Sequence, residues 1–355
     1  MYFPRRHITV FEHEKVRLGQ QFCVQSSNIV VFDEFALKAL QQHYGEKGVP
    51  YYSLIHQGVK FNEHVGVIQV GNLLIEVLPK ADKGFHSESE DTKWRGMLIN
   101  MMRSVGTFDI RVTSNASLRI KPNTILDLYI EKFLNEVEYL LHSGLVKKYR
   151  KTESNSTSLK GNLMFGKHLQ QNLTHQERFY VRHTVYDIEH LLHLILYSAL
   201  KLVRQINTND LLHGRIGALF LCFPEMSSIK VSEFTFNRIK FNRKTEGYRV
   251  SIEIARMLLL QYHPDVSKGQ NNVLALMFDM NLLWEKFIYI SLRKYSRGLK
   301  VSAQVSKDFW KPEHGSMTRI RPDIVIESNG IIYVLDTKWK NLNSYNPSPN
   351  DLRQM

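Results

Sequence analysis

The spacing of apolar residues changes along the chain and predicts three regions. Residues 1–93 carry short runs of β type with one helical segment, and residues 94–270 show mainly helical spacing interrupted by basic segments. Residues 271–355 carry a helical segment followed by strands. A polar stretch, 81–93, is predicted to be a loop at the first boundary. We therefore predict an α+β multidomain protein with a β-rich N-terminal domain, a mainly helical middle region and a C-terminal α/β domain.

The N-terminal region has the pattern of a small β-rich module. Asp33 is a suitable N-cap for the one helix expected there. The apolar runs 65–70 and 73–78 flank Gly71-Asn72, which predicts a tight hairpin. Because the region carries no catalytic constellation, we predict a binding or docking role for it.

The middle region combines helical and basic segments. Residues 94–145 have helical spacing, whereas residues 146–182 are basic and polar with aromatic side chains interleaved. Lys147, Lys148 and Lys160 lie in this basic segment. Side chains of this kind contact phosphate and stack on bases, so the segment is either a DNA contact or a solvated loop.

Two histidines further along the middle region share one helix face. His190 and His193 are spaced i, i+3 within residues 183–223, which are predicted to be helical from His190 onward. The spacing suits a metal site, but the neighbouring residues are leucines and no third ligand is evident. A buried or surface histidine pair is therefore favoured over a metal site.

The C-terminal region begins with a predicted helix. Residues 271–296 have helical spacing and carry Glu285, and residues 299–305 are a strand candidate. The predicted order is helix, then strand, then a pair of further strands.

Two apolar runs near the C-terminus predict that final pair of strands. The runs, 324–326 and 331–334, are rich in β-branched residues, and Asn329-Gly330 lies between them. Asn-Gly is the strongest short hairpin signal, because both central residues of a type I′ turn need φ > 0.

The register of this hairpin brings charged side chains together. With Asn329-Gly330 as the turn, Asp323 falls opposite Asp336, and Lys338 projects from the same face. Two opposed carboxylates need a cation, or one of them must take up a proton. The arrangement can hold Mg²⁺ through oxygen ligands, with a lysine close to a metal-bound water. The alternative is an ordinary hairpin whose strand-end charges are solvated.

Composition places the chain among soluble globular proteins with a polyanionic partner. The 355 residues are 43% hydrophobic and 23% charged, and the formal net charge is +13. Such a balance favours nucleic acid first and an anionic membrane surface second. The two cysteines, Cys23 and Cys222, form no framework. No secretory signal and no apolar run of membrane-spanning length is present, so we predict a cytoplasmic protein with no membrane partner. No P-loop or GxGxxG occurs, so no nucleotide is expected to bind this chain.

Several stretches resemble known nuclease families. Pro322-Asp323 followed by Asp336-Thr337-Lys338 resembles the motif of the PD-(D/E)xK nuclease superfamily. The chain also resembles the McrC family, the nuclease subunits of McrBC 5-methylcytosine restriction systems. The stretches that carry this second resemblance are 65–80 (VGVIQVGNLLIEVLPK), 144–149 with 159–163 (LKGNL), 278–281 running into 284–287, and 351–355 (DLRQM).

The resemblance implies a Mg²⁺-dependent endodeoxyribonuclease and assigns roles to individual residues. It implies that Asp323 and Asp336 bind the metal and that Lys338 is the motif lysine. Glu285 matches a helix position that is acidic in some superfamily members, and Gln354 matches a glutamine on the helix after the motif. The mechanism expected from these roles adds the Thr337 carbonyl as a metal ligand, and Arg321 and Lys340 as contacts to the DNA backbone.

The resemblance also implies a partner. The N-terminal region is expected to dock into a hexameric AAA+ GTPase of the McrB type, to stimulate GTP hydrolysis, and to leave recognition of modified DNA to that partner. The alternative is an interaction subunit that activates the partner without cleaving DNA. A third reading is a basic DNA-binding protein with neither activity.

One departure from the superfamily pattern concerns the C-terminal region. The superfamily core continues with a full helix and a further strand after the motif lysine, whereas this sequence stops at Met355. We therefore expect the nuclease core to be incomplete, either as a fragment or as a natural truncation, with apolar sheet surface exposed.

Overall fold

A computed structural model describes residues 6–24, 28–45, 48–79, 88–105, 124–263, 272–296, 299–310, 318–328 and 330–339. The chain packs into two compact units, one formed by Met1–Leu126 with Tyr262–Met355 and the other by Asp127–Gln261. We call them the composite unit and the middle unit. This grouping by packing does not follow the predicted boundaries at 93 and 270, and the three-part division stays a prediction about function.

The described residues are mixed α and β, and the N-terminal part is rich in strands, as predicted. The strands are β1 (Arg6–Phe11), β2 (Lys15–Arg17), β3 (Gln21–Val24), β4 (Asn28–Val31), β5 (Tyr52–Ile55), β6 (Gly58–Phe61), β7 (His64–Val70), β8 (Leu73–Leu78), β9 (Lys148–Ser156), β10 (Asn162–Leu163), β11 (Phe179–Asp187), β12 (Tyr262–His263), β13 (Val273–Asp279), β14 (Lys300–Ala303), β15 (Lys307–Trp310), β16 (Thr318–Ile320), β17 (Ile324–Ser328) and β18 (Ile331–Leu335). The helices are α1 (Glu34–Tyr44), α2 (Glu88–Ser104), α3 (Ile125–Ser143), α4 (Phe165–Asn172), α5 (Leu191–Ile206), α6 (Asp210–Cys222), α7 (Glu233–Asn237), α8 (Arg249–Leu260) and α9 (Met280–Tyr295). Among these described helices, none is long and apolar enough to cross a membrane.

A five-stranded sheet forms the centre of the composite unit. Its strand order is β1-β8-β7-β13-β12, in which β1 and β8 are parallel and the other pairs are antiparallel. The predicted β7–β8 hairpin and the predicted α1 cap are confirmed, since the Asp33 carboxylate accepts a hydrogen bond from the Ala36 backbone N–H at 2.9 Å. Helix α1 and this sheet share one apolar core.

The prediction of a single helix over 271–296 was wrong for its first part. Residues 273–279 form β13, which pairs along its whole length with β7, and only residues 280–295 are helical. The run Val-Leu-Ala-Leu-Met-Phe is largely buried, and a continuous apolar run cannot be assigned to strand or helix by periodicity alone. The pairing of this run with β7, about 200 residues earlier in the chain, shows that it is a strand.

The predicted loop 81–93 is helical from residue 88 onward, where α2 begins. Glu90 and Asp91 lie in the first turn, where negative charge complements the helix dipole. The polar residues from 88 onward, which suggested a loop, therefore form the N-terminal turns of a helix. Residues 81–87 lie outside the described part of the chain.

The middle unit contains a small antiparallel sheet and packed helices. Its sheet has the order β10-β11-β9, and β9 and β11 pair over nine residues each. The solvated-loop reading of residues 146–182 is therefore wrong, because most of the segment lies in this sheet or in α4. Residues 183–187 complete β11, so the helical part of 183–223 starts only at α5, as expected for His190 onward.

The histidine pair is a buried structural network. His193 is fully buried; its Nδ1–H donates to the Ile188 carbonyl at 2.5 Å, and its Nε2 accepts from the Tyr248 hydroxyl at 2.9 Å. His190 donates to the Val146 carbonyl at 2.7 Å. Burial lowers the pKa of His193 to about 4, so the ring is neutral at pH 7. These bonds tie the ends of β9 and β11 to α5, in agreement with the favoured reading.

Candidate active site

The C-terminal hairpin has the predicted register. Strands β17 and β18 pair from Ser328↔Ile331 to Ile324↔Leu335, and β14 pairs with the other side of β17. Gly330 has φ = +80°, as a type I′ turn requires, while Asn329 lies outside the described residues. Asp323 directly precedes β17 and Asp336 directly follows β18. The two residues therefore lie side by side at the open end of the hairpin.

Asp323 is fixed by the strand opposite. Its Oδ2 accepts hydrogen bonds from the Thr337 backbone N–H at 2.8 Å and from the Thr337 hydroxyl at 3.1 Å. The next residue, Ile324, is fully buried and anchors the strand. Both Thr337 contacts use Oδ2 and not Oδ1, so the carboxylate is oriented with one oxygen committed to the protein.

Asp336 and Lys338 form the other part of the site. Lys338 Nζ lies 2.9 Å from Asp336 Oδ2, and the two side chains are 26% and 49% exposed. An ion pair with this exposure contributes little to stability, so its carboxylate and ammonium remain accessible to other charged groups. The structure thus brings together the three residues on which the sequence prediction depends.

Trp339 holds this end of the chain on the composite unit. Its indole N–H donates to Glu12 Oε1 at 2.6 Å, and its ring contacts those of Trp94 and Trp284 with centroid separations of 6.4 and 5.1 Å. Trp94 belongs to α2 and Trp284 to α9. The residue directly after Lys338 is therefore packed against two helices, and no sequence signal indicated this role.

Glu285 and Arg321 meet through a residue that sequence reasoning missed. Gln304 Nε2 donates to Glu285 Oε1 at 2.7 Å, and Arg321 donates to Gln304 Oε1. The Gln304 backbone N–H donates to the Asp323 carbonyl at 3.0 Å. Gln304 has φ = +52°, a left-handed conformation that is uncommon for residues other than glycine.

The donor set suits magnesium better than a metal that needs a closed protein cage. In the described part of the chain, no three His, Cys, Asp or Glu side chains cluster closely enough to hold a metal. Mg²⁺ is typically bound through one or two carboxylates, waters and substrate phosphates, and Asp323 and Asp336 provide two carboxylates. Glu285 Oε1 accepts a hydrogen bond from Gln304, and the expected part of Glu285 in metal binding stays a prediction.

Two predicted site residues, Lys340 and Gln354, lie outside the described residues. Their roles and that of the Thr337 carbonyl stay predictions. Arg321 is exposed, which suits a contact to the DNA backbone.

The predicted basic residues of the middle unit lie around the β9–β11 sheet. Lys147 and Lys160 are exposed and Lys148 is half-buried. Tyr149 on β9 and Tyr186 on β11 are directly opposed, 77% and 53% exposed, with ring centroids 4.6 Å apart. The cross-strand tyrosine pair was not predicted, because it depends on a register set by residues 37 positions apart.

Comparison with known proteins identifies a family and a fold. A family model described as "McrBC 5-methylcytosine restriction system component" matches residues 59–355. A chain in the Thermococcus gammatolerans assembly of McrB AAA+ hexamers with bound McrC aligns with a TM-score of 0.71 and 22% identity, over 98% of this chain and 83% of that chain. A chain in the cryo-EM structure of the Thermococcus gammatolerans McrBC complex aligns with a TM-score of 0.56 and 20% identity, over 81% of this chain and 87% of that one. No curated protein matches the chain.

Proposed function

Because the chain belongs to the McrBC 5-methylcytosine restriction system component family, we propose that it is the DNA-cleaving subunit of a modification-dependent restriction system. The match and the shared fold confirm the predicted resemblance to the McrC family. The observation that carries the proposed activity is the hairpin register, which places Asp323, Asp336 and Lys338 at one end of β17 and β18.

The proposed reaction is hydrolysis of a DNA phosphodiester bond. Asp323 and Asp336 would hold Mg²⁺, which would supply Lewis-acid polarisation of the scissile phosphate and a water of lowered pKa. Thr337 orients the Asp323 carboxylate through its two hydrogen bonds. Lys338 leaves its pairing with Asp336 to orient the attacking water or to stabilise the negative charge that develops on the phosphate oxygens. Arg321 contacts the DNA backbone.

The experiment that tests this activity compares two lysine variants in a cleavage assay with the partner GTPase present. Lys338→Ala is expected to slow cleavage by roughly a hundredfold, the effect of removing one group that stabilises transition-state charge. Lys300→Ala is the matched control, because Lys300 pairs with Glu327 on the same sheet at its far end. Cleavage should also require Mg²⁺. Equal rates for the two variants, or full activity in EDTA, would show that the hairpin end is not the site.

The same samples distinguish the second candidate function. In the Thermococcus gammatolerans assembly McrC is bound to McrB AAA+ hexamers, and this supports the proposal that the present chain also engages a hexameric AAA+ GTPase. Stimulated GTP hydrolysis without any DNA cleavage, in wild type and variants alike, would favour the interaction subunit over the nuclease.

The N-terminal strands supply a surface for that docking. Ile29 and Val31 occupy alternate positions on β4, so they share one face, and both are exposed, Ile29 by 59%. Neighbouring exposed apolar side chains typically mark an interaction site. We assign the docking role to the N-terminal region on this basis.

The β9–β11 sheet is the surface we assign to DNA contact in the middle unit. Its tyrosine pair offers aromatic faces to bases, and the exposed Lys151 stands beside it, next to Tyr149 and paired across the strands with Thr184. Elsewhere on the sheet Glu153 pairs with both Lys167 and Arg182, and its single negative charge offsets one of their two positive charges. Lys151 and the predicted lysines supply further positive charge for phosphate.

A further inference from the structure

A bridge of three side chains lies beside the candidate active site. Gln304 occupies its centre, with Glu285 of α9 on one side and Arg321 on the other. Arg321 stands two residues before Asp323, and the Gln304 backbone is bonded to the Asp323 carbonyl. The bridge is therefore attached to the backbone of a proposed metal-binding residue.

The chemistry of the two end groups fixes how the central amide is oriented. A carboxylate only accepts hydrogen bonds and a guanidinium only donates them. Gln304 must therefore turn its NH₂ towards Glu285 and its oxygen towards Arg321, and the opposite orientation would lose both bonds. Glu285 therefore anchors the bridge through its acceptor oxygen, and weakening that acceptor would loosen the amide that holds Arg321.

The backbone at Gln304 has a left-handed conformation that also occurs at Gln57, so the case for a role of its side chain rests on the two hydrogen bonds that it makes. At φ = +52° a glycine would be accommodated with no steric cost, whereas a residue with a Cβ is uncommon. Backbone strain of this kind is found where surrounding contacts impose it, often at functional sites. At Gln304 the surrounding contacts are the hydrogen bonds of its side-chain amide with Glu285 and Arg321.

Arg321 keeps most of its hydrogen-bonding capacity for a ligand. A guanidinium has five N–H donors in a planar fork, and the bond to Gln304 uses one of them. Because Arg321 is exposed, the remaining donors can bind a phosphate in the bidentate geometry that arginine favours. Because Arg321 is already held through one nitrogen, it loses less conformational entropy on binding a phosphate than an unrestrained arginine would.

We propose that Gln304 is a positioning residue, anchored by Glu285, that holds Arg321 beside Asp323 to receive a phosphate of the DNA backbone. This assignment rests on the proposed nuclease function, and it gives Glu285 a positioning role instead of a role as metal ligand. Gln304 and Glu285 act through Arg321 and touch neither the metal nor the scissile bond.

The test is a set of DNA-binding and cleavage measurements on Gln304→Gly, Glu285→Gln and Arg321→Ala. Glycine at 304 suits the backbone conformation, so the Gln304→Gly chain should fold as stably as wild type while losing the bridge. Gln57 is a glutamine in the same backbone conformation, φ = +51°, in the turn between β5 and β6. Gln57→Gly is therefore the matched control.

DNA affinity is measured first, in EDTA, so that metal binding does not enter. Gln304→Gly and Arg321→Ala are each expected to weaken binding roughly tenfold, the lower end of what a hydrogen bond to a charged group contributes. Glu285→Gln keeps an acceptor oxygen for Gln304 but loses its charge, so it should weaken binding by less than tenfold. Gln304→Gly should add nothing in the Arg321→Ala background, because both remove the same contact. Gln57→Gly should bind as wild type does. Wild-type affinity for Gln304→Gly, or full additivity with Arg321→Ala, would overturn the proposal.

Cleavage by the same chains separates positioning from metal ligation. A positioning role predicts a raised KM for DNA with the Mg²⁺ concentration for half-maximal cleavage unchanged in Glu285→Gln and Gln304→Gly. A raised Mg²⁺ requirement in Glu285→Gln alone would make Glu285 a metal ligand and overturn the assignment. If wild type itself does not cleave, the proposed function fails, while the binding measurements in EDTA still test the bridge.

Discussion

Single residues fix the candidate site through contacts that differ in kind. Asp323 accepts hydrogen bonds from Thr337, and Asp336 forms an ion pair with Lys338. Trp339, the residue after Lys338, packs against Trp284. The sequence predicted the first two residues and Lys338, because a two-residue turn determines the register. It could not predict Trp339, whose partner Glu12 lies 327 positions away. It also could not predict Gln304, whose partners lie in separate segments 19 and 17 positions away.

Glu76 is a buried carboxylate of the composite unit with several polar partners. It is fully buried on β8, its carboxylate accepts from Arg95 at 2.6 and 2.9 Å, His7 lies 3.4 Å away, and the Ile125 N–H donates to it at 3.4 Å. Burial alone would raise its pKa, but His7 and Arg95 outweigh burial and hold the pKa of Glu76 at about 2. One carboxylate thus links β1, α2 and the start of α3.

Replacing Glu76 is expected to destabilise the fold and change its acid sensitivity. Glu76→Gln leaves the Arg95 guanidinium without its anion, which costs roughly 3–5 kcal/mol in the free energy of unfolding at pH 7. Since the folded-state pKa lies below the ordinary value of 4.5, the stabilisation by Glu76 is complete above that pH and is lost as pH falls towards 2.

Urea titration of wild type and Glu76→Gln between pH 2 and 7 measures this dependence. The difference between the two chains should shrink below pH 4.5. The exposed Glu34, which pairs with Lys38, provides the control, and Glu34→Gln should leave the unfolding midpoint almost unchanged. A difference between wild type and Glu76→Gln that is the same at every pH would rule out an ionised, paired Glu76.

At the scale of elements, the pairing of β13 with β7 decides where the helix that carries Glu285 begins. Asp279 is the last residue of β13 and the N-cap of α9, accepting from Asn281 and Leu282 at 2.8 and 3.2 Å. Neither the cap nor the strand before it was predicted from the sequence, because the strand is set by a partner about 200 residues earlier. The position of Glu285 is thus set by a long-range strand pairing.

Gly66 is the point at which this pairing is most sensitive. It has φ = +140°, and a Cβ there would lie 2.1 Å from the Leu276 carbonyl oxygen on β13. Gly66→Ala is therefore expected to lower the unfolding free energy by about 2–3 kcal/mol or more, from steric overlap and backbone strain.

Thermal unfolding of the purified chains measures the effect at Gly66. Gly96→Ala, in the interior of α2 and with open space around it, is the control and should stabilise the protein by up to about 1 kcal/mol. Equal melting temperatures for Gly66→Ala and wild type would contradict the tight β7–β13 approach.

At the scale of the whole molecule, the two units carry different parts of the proposed function. The composite unit holds the hairpin end, the Gln304 bridge and the exposed β4 residues, and the middle unit holds the β9–β11 sheet with its tyrosines and lysines. The net charge of +13 suggested a polyanionic partner, but charge alone did not show which surface would meet it. The division by packing was not predictable either, because it depends on β12 and β13 joining the N-terminal sheet.

The claim that the hairpin end is a metal-dependent nuclease site is tested most directly by one comparison. The measurement is the rate of DNA cleavage in Mg²⁺, with the partner GTPase, by Asp336→Asn and by Glu327→Gln. Both substitutions remove one exposed carboxylate charge from the same hairpin, but Glu327 lies on β17 away from the open end. We predict that Asp336→Asn loses at least roughly a hundredfold in rate, the loss expected when metal stabilisation of several kcal/mol is removed, and that Glu327→Gln cleaves like wild type. Cleavage by Asp336→Asn at the rate of Glu327→Gln would contradict the assignment.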